Sequence, residues 1–445
     1  MKRAADIISR RDFLVSTGAV GGVLALPGCL TAGAARRVSP GEKLNIACVG
    51  VSGMGWADVQ SLSTENIVAL CDVDDRRAAK AHETFPKARC FKDYRVMLEK
   101  MAREIDAVSV STPDHMHYPI ALAAMQLRKH VYVQKPLANT IERARKLTDA
   151  ARRYGVVTQM GIQIHSSENA RLIREWYQGG VLGVVREVEC WTDRPGWPQG
   201  MTGLPAAEPV PAGLAWDLWQ GGATKYKYNK AYLPSVWRGW YAFGNGALGD
   251  MGCHLFDLIT CAMELPPPSS IIAETSGISS VAYPASSKVT YEFPARGSQP
   301  PVVLTWSEGG RMPPRPPELE PERKFGGAMI GAVLRGDKAT MLITDYSPRI
   351  IPESKMRELQ SSLPPKTLHR VPGGDHYQNF IRACKGMEKP EAPFEYSGRL
   401  TEIVLAGAIA QRLPGRKLTY DPGKMKFTSG PTEANLLIHS PLPTA

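Results

Sequence analysis

The chain offers no C-x-x-C pair, no uninterrupted apolar run long enough to cross a membrane, no dense basic run and no internal repeat. Its eight cysteines stand alone at 29, 48, 71, 90, 190, 253, 261 and 384, so no zinc site or other metal centre is expected. Cys48 and Cys71 fall in apolar, strand-like runs and are read as small core residues of a fold formed under reducing conditions. The apolar stretch from Val15 to Leu26 is too short for a transmembrane span. The formal charge of +11 invites a nucleic-acid reading, but Lys and Arg are scattered among acids. A solvated surface fits this pattern better, and affinity for anionic glycans is compatible with it. At 445 residues, 43% of them hydrophobic, there is room for two domains.

What is present begins with a leader. Ser9-Arg10-Arg11-Asp12-Phe13-Leu14 precedes a weakly apolar, glycine-rich run, the layout of a twin-arginine export signal. Leu26-Pro27-Gly28-Cys29 is similar to a lipoprotein cleavage box, which would put a lipid anchor on Cys29, while Ala32-Gly33-Ala34 offers an ordinary signal-peptidase site. Residues 1–43 are therefore expected to be signal and linker, and the mature protein to be periplasmic. The twin-arginine route carries folded proteins, which suits a protein loaded with cofactor before export.

Residues 44–72 read as strand, glycine turn, helix, strand, acid. Leu44 to Val49 is a short apolar run, Gly50-Val-Ser52-Gly53-Met54-Gly55 turns the chain, and Ile67 to Cys71 ends at Asp72. Glycines let a backbone approach a pyrophosphate at a helix N-terminus, and an acid about 20 residues further on can accept from a ribose. Ser52 stands where the usual fingerprint has its second glycine, and its hydroxyl could itself donate to phosphate. Asp72 favours NAD, and Arg76 and Arg77 leave NADP open.

Strands at Arg89 to Phe91, Asp106 to Ser111 and His130 to Val133 alternate with helices at Asp74 to Lys80, Tyr94 to Ala102 and Ile120 to Met125. That alternation predicts an open parallel sheet over 44–165, with ligands beyond the carboxyl ends of its strands. The turns at Gly50, Asp72, Thr112 and Lys135 lie at those ends and should converge on one crevice. From 166 to 445 the sequence is strand-rich, which predicts a second domain built on a mainly antiparallel sheet. Pro313-Pro-Arg-Pro-Pro317 reads as a surface loop.

Three groups of residues carry chemistry. Lys135, fixed by Pro136, could present its ammonium to a substrate oxygen, or simply reach solvent. If residues 250 onward are helical, Asp250, His254 and Asp257 share a face and carboxylates flank an imidazole suited to accept a hydroxyl proton. Alternatively Asp250 caps the helix and His254 is a core histidine. Between 191 and 241 stand six of the nine tryptophans, with Tyr226, Tyr228, Tyr232 and Tyr241. Trp191 and its neighbours could stack on sugar rings while Arg238, Asp193, Gln163 and His165 bind hydroxyls; the same cluster could be core.

Taken together, the glycine turn, Thr112-Pro113 with His117, Lys135-Pro136, the Asp250/His254 pair and the stretch around Thr401-Glu402-Ile403 resemble the Gfo/Idh/MocA oxidoreductase family. Gln134 replaces the glutamate usual before the lysine. The resemblance implies an α/β chain: an N-terminal Rossmann doubly wound parallel sheet, then a C-terminal α+β domain whose open sheet supports homo-oligomers. It implies Lys135, Asp250 and His254 as catalytic set, with His254 the base and Gln163 near the substrate. Expected cofactor contacts are Gly50, Ser52, Gly53, Met54, Gly55, Asp72, Thr112, Pro113, His117, Gln134 and Lys135. Trp237-Arg-Gly-Trp240 and Gly246-Ala-Leu-Gly249 look like an exported, sugar-related branch. Expected activities are hydride transfer on a sugar or cyclitol hydroxyl, or a redox-neutral NAD-dependent glycosidase cycle. A non-catalytic dinucleotide- or glycan-binding protein is the reading from another class.

Overall fold

The computed structural model describes residues 38–223 and 225–442. The leader, with Arg10, Arg11 and the candidate anchor Cys29, lies outside the described residues.

The first half alternates as its pattern requires: β1 (Asn45–Val49), α1 (Met54–Leu62), β2 (Asn66–Cys71), α2 (Asp75–Thr84), β3 (Arg89–Phe91), α3 (Tyr94–Met101), β4 (Ala107–Val110), α4 (Asp114–Gln126), β5 (His130–Gln134), α5 (Ile141–Tyr154) and β6 (Thr158–Gly161). Its six strands pair in parallel in the order β3-β2-β1-β4-β5-β6. The order reverses between β1 and β4, which opens a crevice above their carboxyl ends. Apolar residues on both faces of β1 and β4 explain why these strands are buried throughout their centre.

The second half adds α6 (Glu168–Gln178), β7 (Val185–Thr192), the short α7 (Trp216–Gln220), α8 (Gly246–Met263), β8 (Ser270–Thr275), β9 (Ser287–Phe293), β10 (Val302–Glu308), β11 (Ile330–Gly336), β12 (Thr340–Thr344), β13 (Ser347–Ile351), α9 (Glu353–Leu359), α10 (His376–Cys384), α11 (Phe394–Arg412), β14 (Leu418–Asp421), β15 (Lys426–Phe427) and α12 (Glu433–His439). Nine strands form a mixed, mostly antiparallel sheet in the order β13-β12-β11-β7-β10-β9-β8-β14-β15. The β7–β10 pair is parallel. Helices α8 and α11 pack on one face, and Leu304, Trp306, Ala332 and Leu334 point into that core.

The period-2 alternation sends Trp191, Val333 and Leu342 to the other face, where Leu319 and Phe325 cover them. The proline-rich stretch is therefore not a plain surface excursion. It leads a segment that seals part of the outer sheet face, and so removes that part from the assembly surface the resemblance implies. Helix α10 returns to the first sheet, where Phe380 and Ile381 pack with Ile46 and Tyr132.

Candidate active site

A cavity of about 780 Å³ runs over the carboxyl edge of the first sheet, from Asp72 and Asp93 at one end to Lys135, Asp250, His254 and Tyr346 at the other. Gly50 has φ +78°, and an added Cβ would stand 2.7 Å from the Ser111 carbonyl oxygen. At Gly55 a Cβ would collide with the Gly50 carbonyl, so α1 can start against the turn only with glycine there. Gly55 therefore shapes the turn from behind; it does not line the cavity. Gly50, Ser52, Gly53 and Met54 do line it. The Ser52 hydroxyl accepts from Arg77 Nε at 3.1 Å, so the residue that departs from the fingerprint is tied to a cation. Arg76 turns away to Asp74, with its NH2 donating at 2.7 Å.

Asp72 sits at the end of β2, where one carboxylate oxygen accepts Val51 N–H and the other Asp74 N–H, both at 3.0 Å. It lines the cavity and fastens the glycine turn to its neighbouring strand. Thr112 and Pro113 line the cavity at the end of β4. His117, expected to touch the cofactor, is buried instead: its ring lies between the carbonyls of Thr112 and Pro136, 2.8 Å from each. The helical turn from Asp114 directs this side chain inward, where it joins the two turns. Burial pushes His117 down to about 4, so it stays neutral.

Lys135 Nζ reaches across to α8 and donates to the Asp250 carboxylate and to its backbone carbonyl, both at 2.7 Å. The same carboxylate oxygen accepts Arg238 Nε at 2.8 Å. The Lys135 and Asp250 side chains are 13% and 12% exposed. Burial alone would raise the Asp250 carboxyl, but the charges and hydrogen bonds of Lys135 and Arg238 outweigh it and hold the group well below the usual carboxylate range. Helix α8 starts at Gly246, so Asp250 is a turn inside it and not its cap.

His254, one turn further on, also lines the cavity. Burial first, and then the Lys135 charge, push its imidazole down to about 3, which keeps the ring neutral. Asp257 does not flank it by contact. That carboxylate bonds His165 Nδ1 at 2.7 Å, beneath the cavity, with the His165 ring 4.9 Å from Tyr396. The expected hydroxyl ligand His165 is thus a buried partner of Asp257, because the seven-residue step along α8 carries Asp257 away from the cleft.

Gln163 lines the cavity and donates to the hydroxyls of Tyr132 (3.1 Å) and Tyr377 (2.9 Å). Gln134 lines it too, with Nε2 donating at 2.9 Å to the buried carboxylate of Asp58. Asp58 accepts from Ser111, Tyr377 and Gln134, a pocket that suits an amide at 134 where the resemblance leads one to expect glutamate.

Of the two readings open for the aromatic cluster, the structure takes core for most of it. Trp191 is fully buried in the outer sheet face and is no substrate contact. Asp193 is likewise absent from the cavity wall. Trp216, Trp219, Tyr228, Tyr232, Trp240 and Phe243 form a buried cluster of their own, with Trp216 and Trp219 stacked at 4.8 Å. From the whole group only Trp219 and Trp237 reach the cavity, and Arg238 lies 4.4 Å over the Trp237 ring.

Two functional features were not anticipated. Asp114, the first residue of α4, is 4% exposed yet lines the cavity, its carboxyl accepting Asn245 Nδ2 at 2.9 Å. The only signal was an acid directly behind Thr112-Pro113. The second is a strap formed by residues 205–223 and 225–243. It pairs Leu214 with Asp74 as an isolated antiparallel bridge, while Ala215 N–H donates to Val73 O at 2.8 Å. It is held again at His115, whose ring sits 2.8 Å from Trp219 O and 3.3 Å from Phe243 O.

Among the described residues no group of side chains has the makings of a metal site. The glycine turn at a helix N-terminus, the acid after β2 and the length of the crevice fit a dinucleotide, with Lys135 and His254 at its far end.

Comparison with known proteins agrees. Residues 44–162 match the Gfo/Idh/MocA oxidoreductase family's NAD-binding Rossmann fold, and residues 171–295 match that family's C-terminal alpha/beta domain. The chain belongs to that family. It is 34% identical over 119 residues to the D-glucoside 3-dehydrogenase of Escherichia coli (strain K12), covering 27% of this chain and 33% of that protein. It is 27% identical to glycosyl hydrolase family 109 protein 1 of Shewanella sp. (strain ANA-3), over 40% of this chain and 44% of that one. The chain thus spans a third to under a half of these relatives' lengths. A solved neighbour is the WlbA dehydrogenase from Bordetella pertussis in complex with NADH and UDP-GlcNAcA, with TM-score 0.60, 18% identity, and 85% and 99% of the two chains covered.

Proposed function

We propose that this Gfo/Idh/MocA oxidoreductase moves a hydride between a retained NAD and a hydroxyl-bearing carbon of a sugar, sugar derivative or cyclitol. The observation that carries the reading is the 2.7 Å contact between Lys135 and Asp250, which joins residues 115 apart in the chain beside His254 in the dinucleotide crevice. NAD, when bound, supplies the hydride acceptor. Lys135 Nζ donates toward the substrate oxygen and stabilises charge developing there. Asp250 holds the ammonium in place through its carboxylate and its backbone carbonyl. His254, on the cavity wall beside Lys135, is the residue placed to accept the hydroxyl proton as the carbon is oxidised. Arg238, packed on Trp237, closes the polar wall on which further hydroxyls rest.

The strap supports retention of the cofactor. It crosses the crevice at the end of β2, where Asp72 lies, and contributes Leu214, Leu218 and Trp219 to the wall. Its buried aromatic cluster would have to leave Val73 and His115 together before the crevice opened there. Retention also suits an exported protein, which would meet little free NAD, and we assign the leader to the twin-arginine route on Arg10 and Arg11. Recovery of the chain with residues 1–26 intact from the cytoplasm alone would end that assignment.

Mass spectrometry of dinucleotide released from the purified protein, and its absorbance at 340 nm after addition of sugars, test the reading. Copurified NAD that is reduced by a sugar is expected. A clean apoprotein that works only with millimolar added NAD would remove the retention argument. A retained cofactor must be restored within each cycle, so a redox-neutral glycosidase is the second reading, and Asp114 is the observation that favours it.

A further inference from the structure

We propose that Asp114 is a second acid–base residue of this site, which removes the proton from the sugar carbon next to the one oxidised. The protein would then enolise its substrate as well as moving a hydride. This rests on the oxidoreductase reading above.

The placement carries the argument. Asp114 is buried, faces the cavity and heads helix α4 on the end of β4. Its side-chain donor is Asn245, which occupies the N-cap position of α8 but makes no capping bond there. An asparagine at that position ordinarily satisfies its own helix. Here the amide is spent on Asp114, which ties the start of α4 to the helix that carries Asp250 and His254.

Cations are nearby, yet they are engaged elsewhere. Lys135 and Arg238 both donate to Asp250, so among the described residues Asp114 has neighbouring positive charge without an ion pair of its own. Burial pushes its carboxyl up to about 7, against the lowering effects of Asn245, Arg238 and Lys135, with Asp250 adding to the rise. Such a group exchanges protons near neutrality, where an ordinary carboxylate is a weak base. His254 and Asp114 line the same cavity and share Lys135 as a charged neighbour.

Oxidation of one hydroxyl-bearing carbon to a ketone acidifies the C–H on the adjacent carbon. Asp114 takes that proton, the C–H pair becomes a C=C bond, and the carbonyl pair moves onto oxygen, where Lys135 offsets the charge. Return of the proton restores the ketone, and return of the hydride closes the cycle with no net change in redox state. Where the carbon beyond bears a glycosidic oxygen, the enolate expels it and the leaving oxygen takes the proton from Asp114. Water then adds across the new double bond.

The holoprotein is incubated with methyl β-D-glucopyranoside or myo-inositol in D2O, following cofactor reduction at 340 nm and deuterium in the recovered sugar. Wash-in beside the oxidised carbon is expected. Asp114→Asn should slow wash-in at least a hundredfold more than it slows cofactor reduction. Asn245→Ala should move the pH at which wash-in sets in upward, because the bond it removes favours the carboxylate. Cofactor reduction without wash-in in the wild type overturns the proposal and spares the oxidoreductase reading. Asp114→Asn affecting both steps equally, or neither, overturns it too, as does an unmoved pH profile in Asn245→Ala. No reduction with either sugar overturns the parent reading.

Discussion

Lys135→Met separates a working ammonium from a strand-end lysine that merely finds an acid. Methionine keeps an unbranched apolar stem in the space beside β5 and removes only the charge. In the wild type, Lys135 Nζ makes two contacts of 2.7 Å to Asp250, and Arg238 makes a third of 2.8 Å to the same carboxylate. Loss of Lys135 therefore leaves Asp250 paired. The cost to the fold should stay below the roughly 3–5 kcal/mol of orphaning a buried charge. The reaction has no such substitute, since Arg238 is committed to Asp250 from the other side. Removing a donor aimed at a developing oxyanion costs about 10²–10³ in kcat, or about 3–4 kcal/mol. Single-turnover reduction of the bound cofactor, read at 340 nm after sugar is added, measures the step directly, and a thermal melt measures the fold. A slowing of two to three orders of magnitude with a modest fall in Tm is expected. Activity within fivefold of wild type would show that the ammonium takes no part. A collapsed melt would show that the Lys135–Asp250 pair is chiefly structural.

The first sheet was legible because each of its signals is local. Apolar runs, a glycine turn and an acid recur within about 30 residues, and the strands they define appear where the pattern places them. Helix α4 starts six residues before Ile120, and Pro119, a breaker on paper that hid this start, lies inside it. The site was legible only where a motif named it. Lys135, Asp250 and His254 line one cavity, but the sequence gives Asp257 to the wrong histidine, since nothing local links it to His165, 92 residues earlier. Trp191 misled for a different reason: alternation in β7 says that it faces away from Cys190, but not which face holds substrate. Asp114 was missed because an acid after proline reads as a loop residue until Asn245, 131 positions away, is seen to hold it.

Two further predictions test these corrections and the state of Asp114. Trp191→Ala should destabilise the fold by roughly 3–5 kcal/mol in guanidinium melts and leave the KM for sugar unchanged, because it opens a hole under Leu319 and Phe325 and Trp191 does not line the cavity. A raised KM with unaltered stability would return Trp191 to the substrate site. For Asp114 the sign of the pH dependence decides the matter. Its carboxyl is raised by burial from 3.8 to about 7 in the folded chain, so the fold holds a proton that the unfolded chain has released. Stability is therefore unaffected at low pH and falls as pH rises between those two values, by roughly 4 kcal/mol at the limit. Asp114→Asn cannot ionise and escapes this loss, so it should be more stable than wild type at pH 8, with the gap closing toward pH 4. Were Asp114 instead ion-paired with Lys135 or Arg238, its carboxyl would be lowered, the wild type would gain stability with pH, and the variant would be the weaker protein at pH 8. Guanidinium denaturation of both proteins at the two pH values distinguishes these outcomes, and a buried acid kept for its proton should show the first.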